Sequence, residues 1–190
     1  YTSQIAREPS RVRELTDKLA DRLQELGRMA EDLLNFARGA RPSHEPVAVS
    51  ELLQDVIDEF ESQDCCDNLE IVMANGKLQI AANRDALKGA LVNLVSNALQ
   101  ACGNDARVEL GAERINGKVC LTVTDNGHGI SADVRARLFE PFFTTRPQGT
   151  GLGLAVVRAV ADAHDGEILV DSRPGMTSIA ICLPAEECPS

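Results

Sequence analysis

Three side-chain amides recur along one stretch of the chain, Asn93, Asn97 and Gln100. They are four and three residues apart, so a helix would place them in one polar stripe. Amide oxygens can bind a hydrated Mg²⁺ ion and tolerate phosphate oxygens beside them, because they add no negative charge. A solvated helix face has the same composition, and the stripe by itself slightly favours that plainer interpretation.

A carboxylate marks the end of a predicted strand. Asp125 comes directly after the alternating residues 119–124, and Gly127 and Gly129 follow it. An acidic side chain in this place can accept a hydrogen bond from an exocyclic amine, while the glycines allow a flat ring to approach the backbone. An ordinary Asp-Asn-Gly turn is the alternative.

Aromatic residues are concentrated in one loop. Residues 138–146 contain three of the five phenylalanines of the chain, Phe139, Phe142 and Phe143. Pro141 prevents a continuous helix there. The pattern indicates a hinged hydrophobic plug, and a loop that simply docks on the core is equally compatible with it.

A glycine-rich segment opens a predicted helix. Gly149, Gly151 and Gly153 precede or begin residues 152–164, and such a helix start can bind phosphate through free N–H groups and the helix dipole. No Gly-Lys-Ser/Thr follows, as a Walker A loop requires. A loop rather than a strand precedes, unlike a Rossmann motif. A flexible surface turn is the alternative.

The elements around these motifs follow from periodicity and turn residues. Helices are predicted over residues 11–38, 50–62, 84–102 and 152–164. Strands are predicted over residues 47–49, 69–74, 78–81, 106–113, 119–124, 167–172 and 177–183, with the last six paired as hairpins, two of them around Asn75-Gly76 and Asn116-Gly117. This order predicts an α+β fold, a two-layer α/β sandwich with a mostly antiparallel sheet.

Composition limits the class of partner. The chain has 190 residues, 44% of them hydrophobic and 3% aromatic, with a net charge of -10. This argues against nucleic acid or an anionic membrane as the main partner. The six cysteines include no CxxC pair, so we expect reduced thiols in a cytoplasmic protein, some of them buried. The start at Tyr1 indicates an excised fragment.

The four motifs, in this order, resemble the N, G1, F and G2 boxes of the bacterial histidine-kinase catalytic domain. The resemblance covers residues 46–184 and includes His164-Asp165-Gly166, which is similar to the family's His-Gly-Gly segment, although Met176 and Ile179 depart mildly from its closing hairpin. It implies a Bergerat-type ATP-binding fold with ATP and Mg²⁺ as cofactors, over residues 47–190.

The resemblance also implies site residues. Asn97 would coordinate Mg²⁺, Asn93 would assist, Asp125 would accept the adenine amino group, and Thr177 would support that contact through water. Residues 126–152 would form a mobile lid anchored by phenylalanines, and the phosphate contact of Gln100 is doubtful. The nucleotide-binding residues it implies are Asn93, Asn97, Gln100, Asp125, Gly127, Gly129, Phe139, Phe143, Thr145, Arg146, Gly149, Thr150, Gly151, Leu152, Gly153 and Thr177.

The first part of the chain fits the same family. The heptad seam of residues 11–38 indicates a dimerising helical hairpin, although a helix packed on its own domain would also fit. Residues 1–39 resemble the later part of that hairpin, residues 40–46 a linker. The phosphoacceptor histidine box is missing, so the fragment has no catalytic residue of its own and is expected to bind ATP without phosphorylating itself.

The implied reaction is phosphoryl transfer from ATP to a histidine and then to an aspartate of a response regulator. The wording of the motifs most resembles nitrogen-regulator-like kinases, which often partner sigma-54 enhancer-binding regulators, and the flagellar-regulatory branch among them. The parent protein would be a homodimer. Alternatives are an ATP-hydrolysing or serine-phosphorylating relative on the same fold, or a nucleotide-gated interaction module; the amide at Asn93 argues against the ATPase, which needs a general base there.

Overall fold

The computed structural model describes residues 45–61, 69–73, 78–102, 105–146 and 149–185, together with Thr16, and residues 69–73 as backbone only. The predicted helix of residues 11–38 and the helical unit of residues 1–39 lie outside these ranges, apart from Thr16. The predicted linker of residues 40–46 is too long at its end, because Glu45 and Pro46 already pair with Ala82 and Ala81 in a strand.

The described elements follow the predicted order, apart from a helix over residues 132–137 that was not predicted. They are β1 (Glu45–Ala48), α1 (Val49–Glu61), β2 (Leu69–Met73), β3 (Gln79–Ala82), α2 (Arg84–Ala101), β4 (Val108–Ile115), β5 (Lys118–Asp125), α3 (Ala132–Arg137), α4 (Gly153–Ala163), β6 (Glu167–Arg173) and β7 (Met176–Pro184). In this part of the chain, no helix combines the length and the apolar character needed to cross a membrane.

The main sheet has the strand order β2-β4-β5-β7-β6, and β2 against β4 is its parallel pair. Strand residues alternate between its two faces. Val119, Leu121 and Val123 of β5 belong to one core with the buried side chains of α1, α2 and α4, whereas Cys120 belongs to a small cluster apart from that core. The predicted two-layer α+β architecture with a mostly antiparallel sheet is confirmed.

Two of the three predicted hairpins are confirmed, and one is wrong. β4 and β5 turn at Asn116-Gly117, and β6 pairs with β7. The predicted pairing of residues 69–74 with residues 78–81 does not form: β2 pairs with β4, and β3 pairs with β1 in a separate two-stranded sheet. Turn residues act locally, but burial selects partners, and Ile80 of β3 is fully buried in the core.

The expectation that the cysteines are reduced is wrong for one pair. Cys120 and Cys182 face each other across β5 and β7, with their Cα atoms 4.0 Å apart, and form a disulfide. They are 62 residues apart in sequence, so only the strand register brings them together. Cys102 is a free, half-buried thiol, and Cys65, Cys66 and Cys188 lie outside the described residues.

Helix α2 carries the amide stripe, and hydrogen bonds hold its N-terminal end in place. Asn83 caps it, accepting a hydrogen bond from the Ala86 amide at 3.0 Å. The Asn83 amide in turn donates to His164 Nε2 at 2.9 Å. The other ring nitrogen of the buried His164, Nδ1, lies 2.7 Å from the Val160 carbonyl. This histidine therefore ties the start of α2 to the end of α4.

The opposite face of α2 is apolar and anchors the helix in the core. Its side chains are buried: Leu87, Leu91, Leu94, Val95 and Ala98 are 0–3% exposed. Because that face is fixed, the amides of the polar face are held at one position relative to the sheet.

Candidate functional site

A cleft of about 1400 Å³ lies between α2, the ends of β5 and β7, and residues 126–152, called the lid below. Lid residues 147 and 148 are outside the described ranges. The structure places most of the predicted nucleotide-binding residues around this cleft: Asn93, Asn97, Gln100, Asp125, Gly129, Phe143, Thr145, Arg146, Gly149, Thr150, Gly151, Gly153 and Thr177. Gly127, Phe139 and Leu152 are not in its lining, and Gly127 and Leu152 are buried.

Asp125 forms one end of the cleft and is only 6% exposed. Its Oδ1 accepts a hydrogen bond from the Gly127 amide at 2.8 Å. Burial raises the pKa of Asp125 above its ordinary value, while the Gly127 hydrogen bond and the nearby His128 oppose that rise. The carboxylate is thus fixed through one oxygen, and its other oxygen is left as an acceptor for a donor group in the cleft.

Gly127 has to be glycine for this arrangement. A Cβ atom at this position would lie 2.7 Å from Asp125 Oδ1 and 2.8 Å from the Ala101 carbonyl oxygen. The Asp125 side chain would have to move. Gly127 therefore contributes by close approach of its backbone, although it does not line the cleft.

Thr177 lies beside Asp125, since the two residues are register partners on β7 and β5. Its hydroxyl is 3.2 Å from Ser172 Oγ, which also accepts a hydrogen bond from the Ile130 amide at 2.8 Å. Sequence analysis missed Ser172, which lines the same cleft. Nothing local distinguishes a strand serine, and only the β6–β7 register places it next to Thr177.

The amide stripe faces the cleft and is engaged by a lid residue. Arg146 Nη1 donates to Asn97 Oδ1 at 3.2 Å, and Arg146 Nη2 donates to the Asn97 carbonyl, also at 3.2 Å. Arg146 Nη1 donates to Gln100 Oε1 as well. The structure therefore joins Arg146, Asn97 and Gln100, which the sequence had placed in two separate motifs.

Two parts of the lid meet through a backbone hydrogen bond. The Phe142 amide donates to the Gly151 carbonyl at 2.9 Å, with φ of 65° at Phe142 and 67° at Gly151. A Cβ atom on Gly151 would overlap the Phe142 backbone. Positive φ is strained for a residue with a side chain, so Phe142 is held in a conformation that its neighbours must enforce.

The phenylalanines anchor the lid unequally. Phe142 is 69% exposed, so its ring does not fix the lid, contrary to the expectation. Phe139 and Phe143 are half-buried. The guanidinium of Arg137 lies over the ring of Phe143, 4.3 Å from its centre, and sequence analysis did not identify this cation–π contact.

Helix α4 begins at the cleft beside the amide stripe. The first N–H groups of any helix lack intrahelical acceptors. No side chain caps the start of α4. A Cβ atom on Gly153 would lie 3.4 Å from Asn93 Oδ1. Free amides and the positive end of the helix dipole therefore lie next to Asn93, which suits an anion.

Lys88 is a second basic residue in the cleft lining that sequence analysis missed. Its Nζ pairs with Glu59 of α1 at 2.9 Å. The hydrogen bond to Glu59 raises the pKa of Lys88, against a smaller lowering by desolvation. Lys88 precedes Asn93 by five residues on α2.

The donor set fits a hard divalent cation. Within the described ranges, no group of three His, Cys, Asp or Glu residues could hold a metal ion. A metal ion here would be bound through side-chain amide oxygens of the protein and through oxygens of a small molecule that enters the cleft with it. Mg²⁺ accepts both kinds of oxygen. Asn97 Oδ1 already binds a cation, the Arg146 guanidinium. The residues present therefore fit Mg²⁺.

Comparison with known sequences identifies the family. Residues 82–187 match the family model described as histidine kinase-, DNA gyrase B-, and HSP90-like ATPase. The sensor protein kinase FleS of Pseudomonas aeruginosa is 39% identical over 170 residues, 88% of this chain and 42% of the relative. The C4-dicarboxylate transport sensor protein DctB of Rhizobium meliloti is 34% identical over 171 residues, 88% of this chain and 28% of the relative. The chain thus spans less than half of these relatives.

Solved structures agree with this similarity. Full-length ShkA in complex with AMPPNP has a TM-score of 0.76 and 28% identity, covering 94% of this chain and 40% of that one. The histidine kinase ThkA in complex with the response regulator protein TrrA has a TM-score of 0.71 and 25% identity, covering 90% of this chain and 50% of that one. Each of these similarities covers at least 90% of this chain.

Proposed function

The chain belongs to the family of histidine kinase-, DNA gyrase B- and HSP90-like ATPases, and from this premise we propose that it binds Mg²⁺-ATP as the catalytic part of a sensor histidine kinase. It would present the γ-phosphoryl group to a histidine. The observation that carries the proposal is a single cleft with a buried carboxylate at one end and an amide stripe, a glycine-rich lid and a helix start at the other.

The adenine would bind at the base end, which we define as Asp125, Gly127, Ser172 and Thr177. Asp125 keeps one carboxylate oxygen for the exocyclic amine because Gly127 satisfies the other. Thr177 is placed to support that contact through water, since its hydroxyl and that of Ser172 are neighbours. An ionised carboxylate accepts but does not donate, so it selects a ring with an amine over one with a carbonyl.

The triphosphate would bind at the phosphate end, which we define as Asn93, Asn97, Gln100, lid residues 144–146 and 149–152, and Gly153. Asn97 would bind the metal through Oδ1, assisted by Asn93, and the lid glycines and the start of α4 would donate N–H groups to phosphate oxygens. A bound Mg²⁺ ion would neutralise charge on the β- and γ-phosphates. Positioning and charge neutralisation account for most of the catalysis of phosphoryl transfer, so these residues suffice without a base of their own.

Kinase activity is favoured over ATP hydrolysis. An ATPase of this fold needs a general base at the position of Asn93, which lies beside Gly153. The side chain of Asn93 is an amide, and it cannot take a proton from water as a general base does. Relatives such as FleS and ZraS are sensor kinases. A nucleotide-gated interaction module remains a weaker candidate, because it would not need the phosphate end to be complete.

The parent protein would act as a homodimer, with residues 1–39 contributing to its helical hairpin. It would pass the phosphoryl group to a response regulator, as the ThkA–TrrA complex suggests for this fold. The motif wording favours a sigma-54 enhancer-binding regulator as that partner. The catalytic domain would work in the cytoplasm, without contact to nucleic acid or membrane.

The metal role of Asn97 is tested by isothermal calorimetry with Mg²⁺-ATP. The proposal expects measurable binding by the wild type and none by Asn97→Ala, with unchanged far-UV circular dichroism. Gln54→Ala, a change on the outer face of α1, is the control. Unchanged affinity in Asn97→Ala would disprove the metal role.

The same preparation tests the missing phosphoacceptor. Incubation with radiolabelled ATP should leave no acid-labile label on this chain. Such a label would overturn the expectation that the fragment cannot phosphorylate itself.

A further inference from the structure

We propose that Arg146 and the metal compete for Asn97 Oδ1, so that Arg146 acts as a latch between lid and α2 which Mg²⁺-ATP releases, with Gln100 as its positioning residue. The proposal rests on the proposed function of the cleft. It assigns a role to Gln100, where a phosphate contact was doubtful, and to the guanidinium of Arg146, which belongs to the lid.

The latch consists of three contacts from one guanidinium. Arg146 donates to Asn97 Oδ1 and to the Asn97 carbonyl, both at 3.2 Å, and to Gln100 Oε1. Guanidinium is planar, always charged and weakly hydrated, so it can take the place of a metal ion in front of neutral oxygens. Both cations need the same oxygen of Asn97, and they repel each other, so both cannot bind it at full strength.

Gln100 is itself oriented by a neighbour on α2. Its Nε2 donates to Ser96 Oγ at 3.2 Å, one turn earlier on the helix. That hydrogen bond turns Oε1 toward Arg146. Ser96 and Gln100 therefore fix an acceptor for the lid, and neither of them carries a charge that would itself repel phosphate.

The backbone of Arg146 is held within the lid by two hydrogen bonds. The Arg146 amide donates to Thr144 Oγ1 at 3.0 Å, and the Gly149 amide donates to the Arg146 carbonyl at 3.2 Å. Thr144 and Thr145 are exposed. Among the described residues of this part of the lid, Arg146 thus provides the side-chain link to α2, and withdrawing it frees the loop.

Released from Asn97, the guanidinium would still lie at the phosphate end, because its Cα is held by the same turn. It would then face the triphosphate that released it. Metal binding and lid rearrangement then occur together. Gln100 stabilises the arrangement in which Arg146 contacts Asn97, but not the arrangement in which Arg146 faces the triphosphate.

The test separates these two roles of the arginine by changing Gln100 alone. Hydrogen exchange of lid amides 139–151 is measured without nucleotide and without Mg²⁺ in the wild type, Gln100→Ala and Gln100→Glu. We expect faster exchange in Gln100→Ala, roughly tenfold for one lost charge-assisted hydrogen bond, and slower exchange in Gln100→Glu, which pairs with Arg146. Gln54→Ala is the matched control, because Gln54 also donates to a side chain one turn away, Asp58.

Calorimetry then measures the competition. Gln100→Ala should bind Mg²⁺-ATP several-fold more tightly than the wild type, with a smaller gain for ATP in EDTA, which does not need Asn97. Weaker Mg²⁺-ATP binding with unchanged lid exchange would overturn the latch and make Gln100 a phosphate contact. Unchanged lid exchange in both Gln100 variants would also overturn it. A wild type that binds no Mg²⁺-ATP would instead refute the proposed function.

Discussion

Asp125 and Thr177 at the base end are 6% and 5% exposed, whereas Thr144 and Thr145 at the phosphate end are exposed. The base end is built on adjacent strands of the main sheet, in fixed register. The phosphate end depends on a loop held by the Phe142–Gly151 hydrogen bond and by Arg146. The comparison teaches that the base end is preformed, whereas under the proposed function the phosphate end would rearrange around its ligand.

Apart from Asn97→Ala, the largest effect should come from the preformed end. Asp125→Asn keeps the shape and the acceptor for the Gly127 amide but puts a donor or a neutral oxygen opposite the adenine amine. We expect a loss of ATP affinity of roughly 100-fold, in the range of a hydrogen bond to a charged group. Calorimetry measures this loss.

The melting temperature provides the control for the same variant. It should stay the same or rise, because the change removes a carboxylate whose charge is disfavoured by burial. A large drop in melting temperature would mean that Asp125 is structural, and would remove the contrast between the two ends.

A smaller effect is expected at the lid. Gly151→Ala adds a methyl group at φ 67° against the Phe142 backbone, which costs about 1–2 kcal/mol or more. Mg²⁺-ATP affinity should fall roughly tenfold, while adenosine binding should be unaffected. Gly175→Ala, at a positive φ in the β6–β7 turn, is the matched control and should leave both affinities unchanged. Equal losses for adenosine and Mg²⁺-ATP would show that the ends are not independent.

Acidification should affect the base end within a defined window. Burial raises the pKa of Asp125 above its ordinary 3.8, so the folded protein binds this proton more tightly than the unfolded chain. For this group alone, falling pH therefore stabilises the fold, while it removes the acceptor for adenine. As the pH is lowered, adenosine affinity should fall severalfold, and the midpoint of this fall should lie above pH 3.8. The Asp125→Asn variant should show no such fall. A midpoint at or below the ordinary value would contradict the burial argument.

The smallest effect should come from Arg137. It is on an exposed helix, and its contact with the Phe143 ring contributes about 0.5–1 kcal/mol. Arg137→Ala should weaken Mg²⁺-ATP binding two- to fourfold, and Arg137→Lys should restore part of it. Loss of more than tenfold would mean that the aromatic anchor, rather than Arg146, controls the lid.

Sequence reasoning found what depends on local spacing and missed what depends on pairing. Each of the amide stripe of α2, the carboxylate at the end of β5 and the glycines around the start of α4 lies within a short stretch of sequence. Their residue types and intervals therefore identified them. The disulfide of Cys120 with Cys182, the proximity of Ser172 to Thr177, and the partner of β3 depend on strand register, which turn residues such as Asn75-Gly76 do not determine.

The engagement of Gln100 by Arg146 also could not be predicted, because the two residues are 46 positions apart and Arg146 lies in a loop without periodicity. The prediction that Phe142 anchors the lid was wrong for a related reason. Composition shows that a loop is aromatic, but the direction of each ring depends on backbone angles such as its positive φ.

The central claim is that one nucleotide connects two ends of different rigidity. NMR titration tests it directly, by following the Gly127 backbone amide and the Asn97 side-chain amide. Adenosine should shift only the first resonance, Mg²⁺-tripolyphosphate only the second, and Mg²⁺-ATP both with one dissociation constant. A Gly127 shift with tripolyphosphate alone, or no Asn97 shift with Mg²⁺-ATP, would contradict the account.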